Sequence, residues 1–106
     1  MAYEMLDGTF RALSDPRRRA ILAALREGEM SVADLTARFD VSQPAISQHL
    51  AVLRQAELVK DRRDGRRRLH SVDGRRLAEL ADWVATYEAF WDDGLAALSR
   101  HLDRRS

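Results

Sequence analysis

The sequence predicts a mainly α-helical domain with one small β-hairpin: four short helices, the hairpin, then a long C-terminal helix. Three observations carry this. Apolar residues recur at helical spacing along most of the chain, punctuated by Ser, Asp, Pro and Gly. One Asp-Gly pair, Asp64-Gly65, lies in a stretch where few side chains are apolar. Two short helical segments are separated only by Asp40-Val41-Ser42, the connection length of a helix-turn-helix.

Each element follows from local signals. Leu6, Phe10 and Leu13 fall at i, i+4, i+7 and give a first short helix. Ser14-Asp15-Pro16 stops it and caps a second helix, Pro16 to Arg26, which buries Ile21, Leu22 and Leu25. Gly28 is available as a left-handed cap after it. Ser31 and Asp34 have capping-box spacing, so a third helix runs from about Val32 to Phe39. Ser42 caps the fourth, Gln43 to about Ala56, with Pro44 confined to its first turn. A β segment begins at Leu58, Asp64-Gly65 makes the two-residue turn, and Arg66 to Val72 returns as the second strand. Asp73 can cap a last helix of about 30 residues, roughly 45 Å long. Gly94 marks a kink or an end within it.

Composition bounds the function. The 106 residues fit one domain, taken here as 1–106. The longest apolar run, Ala20 to Leu25, is too short for a membrane span, and no signal peptide is expected. Zero cysteines exclude a disulfide framework, thiol catalysis and thiolate metal sites. No pair of histidines has zinc-ligand spacing, so neither a metal nor a cofactor is expected. A cytoplasmic protein with no membrane partner is the expectation. The net charge of +1 conceals segregation: residues 60–76 hold 8 basic and 3 acidic side chains, and residues 77–103 hold 1 and 6.

Function concentrates in two places. On a helical wheel, Ile46, Leu50 and Leu53 face the core, while Pro44, Ser47, Gln48, Ala51 and Gln55 lie opposite, flanked by Gln43 and Arg54. No acidic residue occurs from Val41 through Ala56. That face suits a major groove, where Gln pairs two-pronged with adenine and Ser bonds bases or phosphate. Gln43, Ser47 and Gln48 are the candidate base contacts. Arg62, Arg63, Arg66, Arg67 and Arg68 surround the hairpin tip and read as a wing on the phosphate backbone or in a minor groove. Ser42 and Arg54 join them as backbone contacts. His49 sits at the edge of the apolar arc, open between a half-buried histidine and a phosphate contact.

The C-terminal helix carries a wide apolar stripe through Leu77, Leu80, Trp83, Val84, Tyr87, Phe90, Trp91, Leu95, Leu98 and Leu102. A second copy of the chain is its expected cover, with packing on the chain's own core as the other reading. Residues 1–13 and 73–102 are then dimerisation helices, with Leu6, Phe10, Leu80, Val84, Tyr87, Trp91 and Leu98 at the interface.

Together these segments resemble the ArsR family of winged-helix transcriptional repressors. The resemblance rests on Leu13-Ser-Asp-Pro-Arg17, Arg19-Ala-Ile-Leu22, Val41-Ser-Gln-Pro-Ala-Ile-Ser-Gln-His-Leu50, Val52-Leu-Arg54, Glu57-Leu-Val59 and Asp64-Gly-Arg66. It covers residues 6 to 77 closely and the last helix by type only. It implies a symmetric dimer built on the first and last helices, each subunit placing its fourth helix in a major groove of double-stranded DNA. Metal sensing is not implied. Where metal sensors have E-L-C-V-C-D-L, this chain has Glu29-Met30-Ser31-Val32-Ala33-Asp34-Leu35. Asp82-Trp83-Val84 lacks the histidine of the zinc-sensing pattern, and Leu95 follows in place of its later one. Any effector is therefore not named by these residues. The expected function is sequence-specific DNA binding by a dimeric repressor. The alternative, a winged-helix interaction module without DNA, would carry a neutral wing. An enzyme would need a nucleophile, base and orienting group, and none is visible.

Overall fold

Side-chain caps set where the second, third and fourth helices begin. The computed structural model describes residues 3, 6–91, 94, 98, 101 and 102. It contains α1 (Leu6–Leu13), α2 (Pro16–Leu25), α3 (Val32–Arg38), α4 (Gln43–Gln55), β1 (Val59–Asp64), β2 (Arg67–Val72) and α5 (Arg75–Ala85). The Asp15 carboxylate accepts the Arg17 amide at 2.8 Å and starts α2. The box at α3 is reciprocal: Ser31 Oγ accepts from the Asp34 amide, and the Asp34 carboxylate accepts from the Ser31 amide. Ser42 Oγ caps α4 through the Ala45 amide. Gly28 has φ 150°, a positive value that glycine tolerates, but outside the left-handed helical cap expected of it.

One core joins these helices. Ile21 and Leu25 of α2, Leu35 of α3, and Ile46, Leu50 and Leu53 of α4 pack with Leu58 and Val59. α4 ends in a tight reversal that delivers the chain into β1. Glu57 N–H donates to the Arg54 carbonyl and Leu58 N–H to the Leu53 carbonyl, both at 2.9 Å, with Glu57 at φ 60°. This is the Schellman pattern, normally built on glycine. Glu57→Gly is therefore expected to be more stable than Glu57→Ala by about 1 kcal/mol, read from urea midpoints. Both variants lose the Glu57–Arg76 ion pair, so their difference isolates the backbone. Equal midpoints would show that the left-handed residue carries no strain.

The hairpin pairs Asp64 with Arg67 and Val59 with Val72, antiparallel. Its two-residue turn is consequently Gly65-Arg66, one position later than the expected Asp64-Gly65. Gly65 alone has positive φ, 65°, which fits a turn with glycine first. β2 also bonds inward: Met30 and His70 exchange backbone hydrogen bonds at 3.0 and 2.8 Å. The loop before α3 thus adds a short third edge to the sheet, which periodicity did not suggest.

The expected last helix is not continuous. α5 stops at Ala85, and the Thr86 and Tyr87 amides bond three residues back, to Trp83 and Val84. The Thr86 hydroxyl also takes the Trp83 carbonyl at 2.6 Å, competing with the helical ladder. Helix resumes at Glu88. The break thus falls at Thr86-Tyr87, ahead of Gly94. Gly74, not Asp73, occupies the cap position of α5 and makes no side-chain cap bond. Asp73 still accepts the Arg75 amide at 3.2 Å and the Arg75 guanidinium at 2.8 Å.

The Arg75 guanidinium and amide hold the Asp73 carboxyl down at about 2, against 3.8 for a free aspartate. A depressed carboxylate stabilises the fold above its unfolded value, and the contribution is lost as pH falls from about 4 to 2. Asp73→Asn is expected to lower stability by about 1 kcal/mol at pH 7, because a neutral amide replaces the carboxylate in its bonds to Arg75. The gap from wild type should close by pH 2 in chemical denaturation. A gap of constant size across that range would assign the effect to packing instead.

Candidate nucleic-acid interface

α4 presents the surface its wheel foretold. Ile46, Leu50 and Leu53 are buried, whereas Gln43, Pro44, Ser47, Gln48, Ala51 and Gln55 are exposed. Ser42, the cap, is exposed at the start of the same helix. The exposed amides and hydroxyl can donate and accept at once, which is what base edges demand. His49 is half-buried. It lies near Asp15, whose carboxyl is held low first by the Arg17 amide and more weakly by the Arg18 amide and the charge of His49.

Arg54 is half-buried at the other end of α4, where β1 packs. Beside it, His70 is buried to 1% exposure, with neither ring nitrogen hydrogen-bonded. Burial first, then the charge of Arg54, pushes its imidazole below the ordinary value, so the ring is neutral at pH 7. In sequence His70 is one isolated histidine. Only the sheet register turns it inward.

The wing's arginines do not form one cluster. Strand alternation places Lys60, Arg62, Asp64 and Arg67 on one face of the hairpin, and Asp61, Arg63 and Arg68 on the other. Arg62 grips Glu29 with two bonds, Nε–Oε2 2.6 Å and Nη2–Oε1 2.8 Å. Arg67 Nη2 reaches the Asp34 carboxylate at 2.7 Å, and Arg68 pairs with Asp61 at 2.9 Å. Among the described residues, Arg63 and the turn residue Arg66 have no carboxylate partner. The five candidate phosphate contacts thus stand in two different settings within the protein. Three arginines are held by carboxylates within the fold: Arg62 and Arg67 because the loop before α3 and the first turn of α3 lie alongside the hairpin, and Arg68 because Asp61 stands on the facing strand.

A second surface runs along α1 and α5. Phe10 and Trp83 meet edge to face at 5.3 Å, Trp83 and Tyr87 do the same at 5.3 Å, and Tyr87 and Phe90 follow at 6.2 Å. Phe10, Val84, Tyr87 and Leu98 are exposed, Leu80 is half-buried, and Phe90 is 84% exposed. Two more of the candidate interface residues are not among the exposed ones. Leu6 is only 1% exposed, sealed within its own protomer, so it supports this surface from below. Trp91 is half-buried and turns its indole N–H back to the Val84 carbonyl at 3.3 Å. The break at Thr86-Tyr87 rephases the stripe and makes Phe90 its most prominent residue. Leu95 lies outside the described residues.

Among the described residues, no group of three or more His, Cys, Asp or Glu is placed to hold a metal, and no helix is long and apolar enough to cross a membrane.

A helix-turn-helix followed by an arginine-bearing hairpin defines the class: a winged helix-turn-helix protein. Residues 15–61 match the family described as bacterial regulatory protein, arsR family. The chain is 37% identical over 82 residues to the transcriptional repressor SdpR of Bacillus subtilis, covering 77% of this chain and 91% of that one. It is 39% identical over 101 residues to the HTH-type transcriptional regulator Rv2034 of Mycobacterium tuberculosis, covering 95% and 92%. Its fold matches a homodimeric winged helix-turn-helix DNA-binding domain from Mycobacterium bovis with TM-score 0.66 and 29% identity, over 79% of this chain and 81% of that one. The chain belongs to the arsR family of bacterial regulatory proteins and is a transcriptional regulator.

Proposed function

We propose that the protein represses transcription in the cytoplasm as a symmetric dimer on a roughly palindromic operator. The single observation that carries this is the outward face of α4, rich in amide and hydroxyl groups and free of acidic residues from Val41 through Ala56. Gln43, Ser47 and Gln48 read base edges. Ser42, His49, Arg54 and the wing arginines hold the phosphate backbone. Supporting the dimer are the aromatic ladder on α1 and α5 and the homodimeric state of the Mycobacterium bovis domain. Residues 1–13 and 73–102 form the dimerisation segments, with Phe10, Val84, Tyr87, Phe90 and Leu98 as the contact surface. The repressor role is supported by the likeness to SdpR.

Capture of sheared genomic fragments on the purified protein, followed by sequencing, tests the reading. Enriched fragments should share a two-fold motif with half-sites about 10–10.5 base pairs, or a multiple, apart. Enrichment without a shared motif would reject sequence-specific control.

A further inference from the structure

We propose that Glu29 and Asp34 act as internal stand-ins for phosphate, holding Arg62 and Arg67 in the free protein and releasing them to the backbone of duplex DNA. This rests on the DNA-binding reading above and adds an exchange that sets how tightly the wing engages.

The geometry points to a clasp rather than chance surface pairing. Arg62 and Arg67 lie on the same face of the hairpin, on opposite strands, and each reaches a carboxylate 33 residues away in sequence. Both carboxylates are fixed from behind. Glu29 directly precedes Met30, which is bonded to His70 on both sides of the backbone. Asp34 is locked by its capping box with Ser31. The Glu29 grip is two-pronged, the geometry guanidinium also offers to phosphate.

All four side chains remain substantially exposed: Arg62 56% and Glu29 37%, Arg67 57% and Asp34 45%. Exposed pairs of this kind hold weakly, so a closely spaced row of phosphates can replace the carboxylates. Position favours the same exchange. In a helix-turn-helix the first helix crosses the DNA backbone, and Asp34 stands on the first turn of that helix, α3. The carboxylates therefore impose a toll that random DNA and operator both meet, lowering unspecific retention.

The test is a double-mutant cycle on the full chain with a random-sequence 30-base-pair duplex as probe, titrated at several salt concentrations. Glu29→Gln keeps shape and size and removes the competing charge. It should tighten binding to the random duplex by roughly three- to tenfold and steepen the slope of log K against log salt. In an Arg62→Ala background the same change should do nothing, because the arginine it releases is gone. Thermal melts of each variant confirm folding. Unchanged or weaker binding by Glu29→Gln overturns the clasp while leaving the DNA reading intact. So does an equal gain in the Arg62→Ala background, which would mean general charge alone. Wild-type protein that retains no duplex at any salt overturns both.

Discussion

Phe90→Asp is expected to yield a folded monomer with duplex affinity lowered by about 10²–10⁴-fold. Phe90 is 84% exposed, and among the described residues the aromatic ring beside it is that of Tyr87, tilted at 6.2 Å. A charge there costs the protomer little. In the proposed dimer, by contrast, the same position would be buried against the partner, and an unpaired carboxylate in an apolar interface is strongly unfavourable. The fall in affinity follows from valence. Two α4 helices on one rigid frame bind two half-sites with a high effective concentration for the second, and a monomer forfeits that gain. Sedimentation velocity at micromolar concentration reads the oligomer, and far-ultraviolet dichroism reads the fold. A variant that stays dimeric would move the interface off this surface.

The second large effect separates wing from helix. Arg63→Ala with Arg66→Ala removes the two wing arginines that lack a carboxylate partner. A dimer then loses about four phosphate contacts, and the slope of log K against log salt should flatten by roughly 3–4. Random and operator duplexes should weaken alike, on the order of 10²-fold at low salt. Arg68→Ala should do less, because that charge reaches phosphate only by leaving Asp61, the least exposed of the three carboxylate partners at 26%. Gln48→Ala should leave random-duplex affinity and the salt slope nearly unchanged, while losing about 1–3 kcal/mol of discrimination at one base pair of each half-site. If the Arg63 and Arg66 double variant keeps its random-duplex affinity and loses only the operator, the wing reads sequence and the division of labour is reversed.

Much of this protein is written in local pattern. Ser31 with Asp34, Ser42 with Pro44, and Asp15 with Pro16 announce helix starts, because a side-chain oxygen or a missing N–H answers a need confined to one turn. The buried and exposed faces of α4 follow from 3.6-residue periodicity. Its candidate reading residues were therefore legible before any coordinate. Composition alone marked the hairpin as a charged projection.

What tertiary structure decided are the relations between segments distant in sequence. No periodicity relates Glu29 to Arg62 or Asp34 to Arg67, since their meeting depends on the sheet register and on the backbone bridge from Met30 to His70. The same register buries His70 with its ring nitrogens unbonded among the described residues, and separates Arg62 and Arg67 from Arg63 and Arg68. Along the last segment, sequence supplied the aromatic stripe, but the break at Thr86-Tyr87 chose which rings face outward. At that break the Thr86 hydroxyl bonds the Trp83 carbonyl three residues back, and the helix from Glu88 to Trp91 resumes out of phase with α5. Sequence thus determined which chemistries the protein carries. Through-space pairing decided which arginines are free and which aromatic ring leads, because charge and exposure belong to neighbours that the chain brings together only on folding.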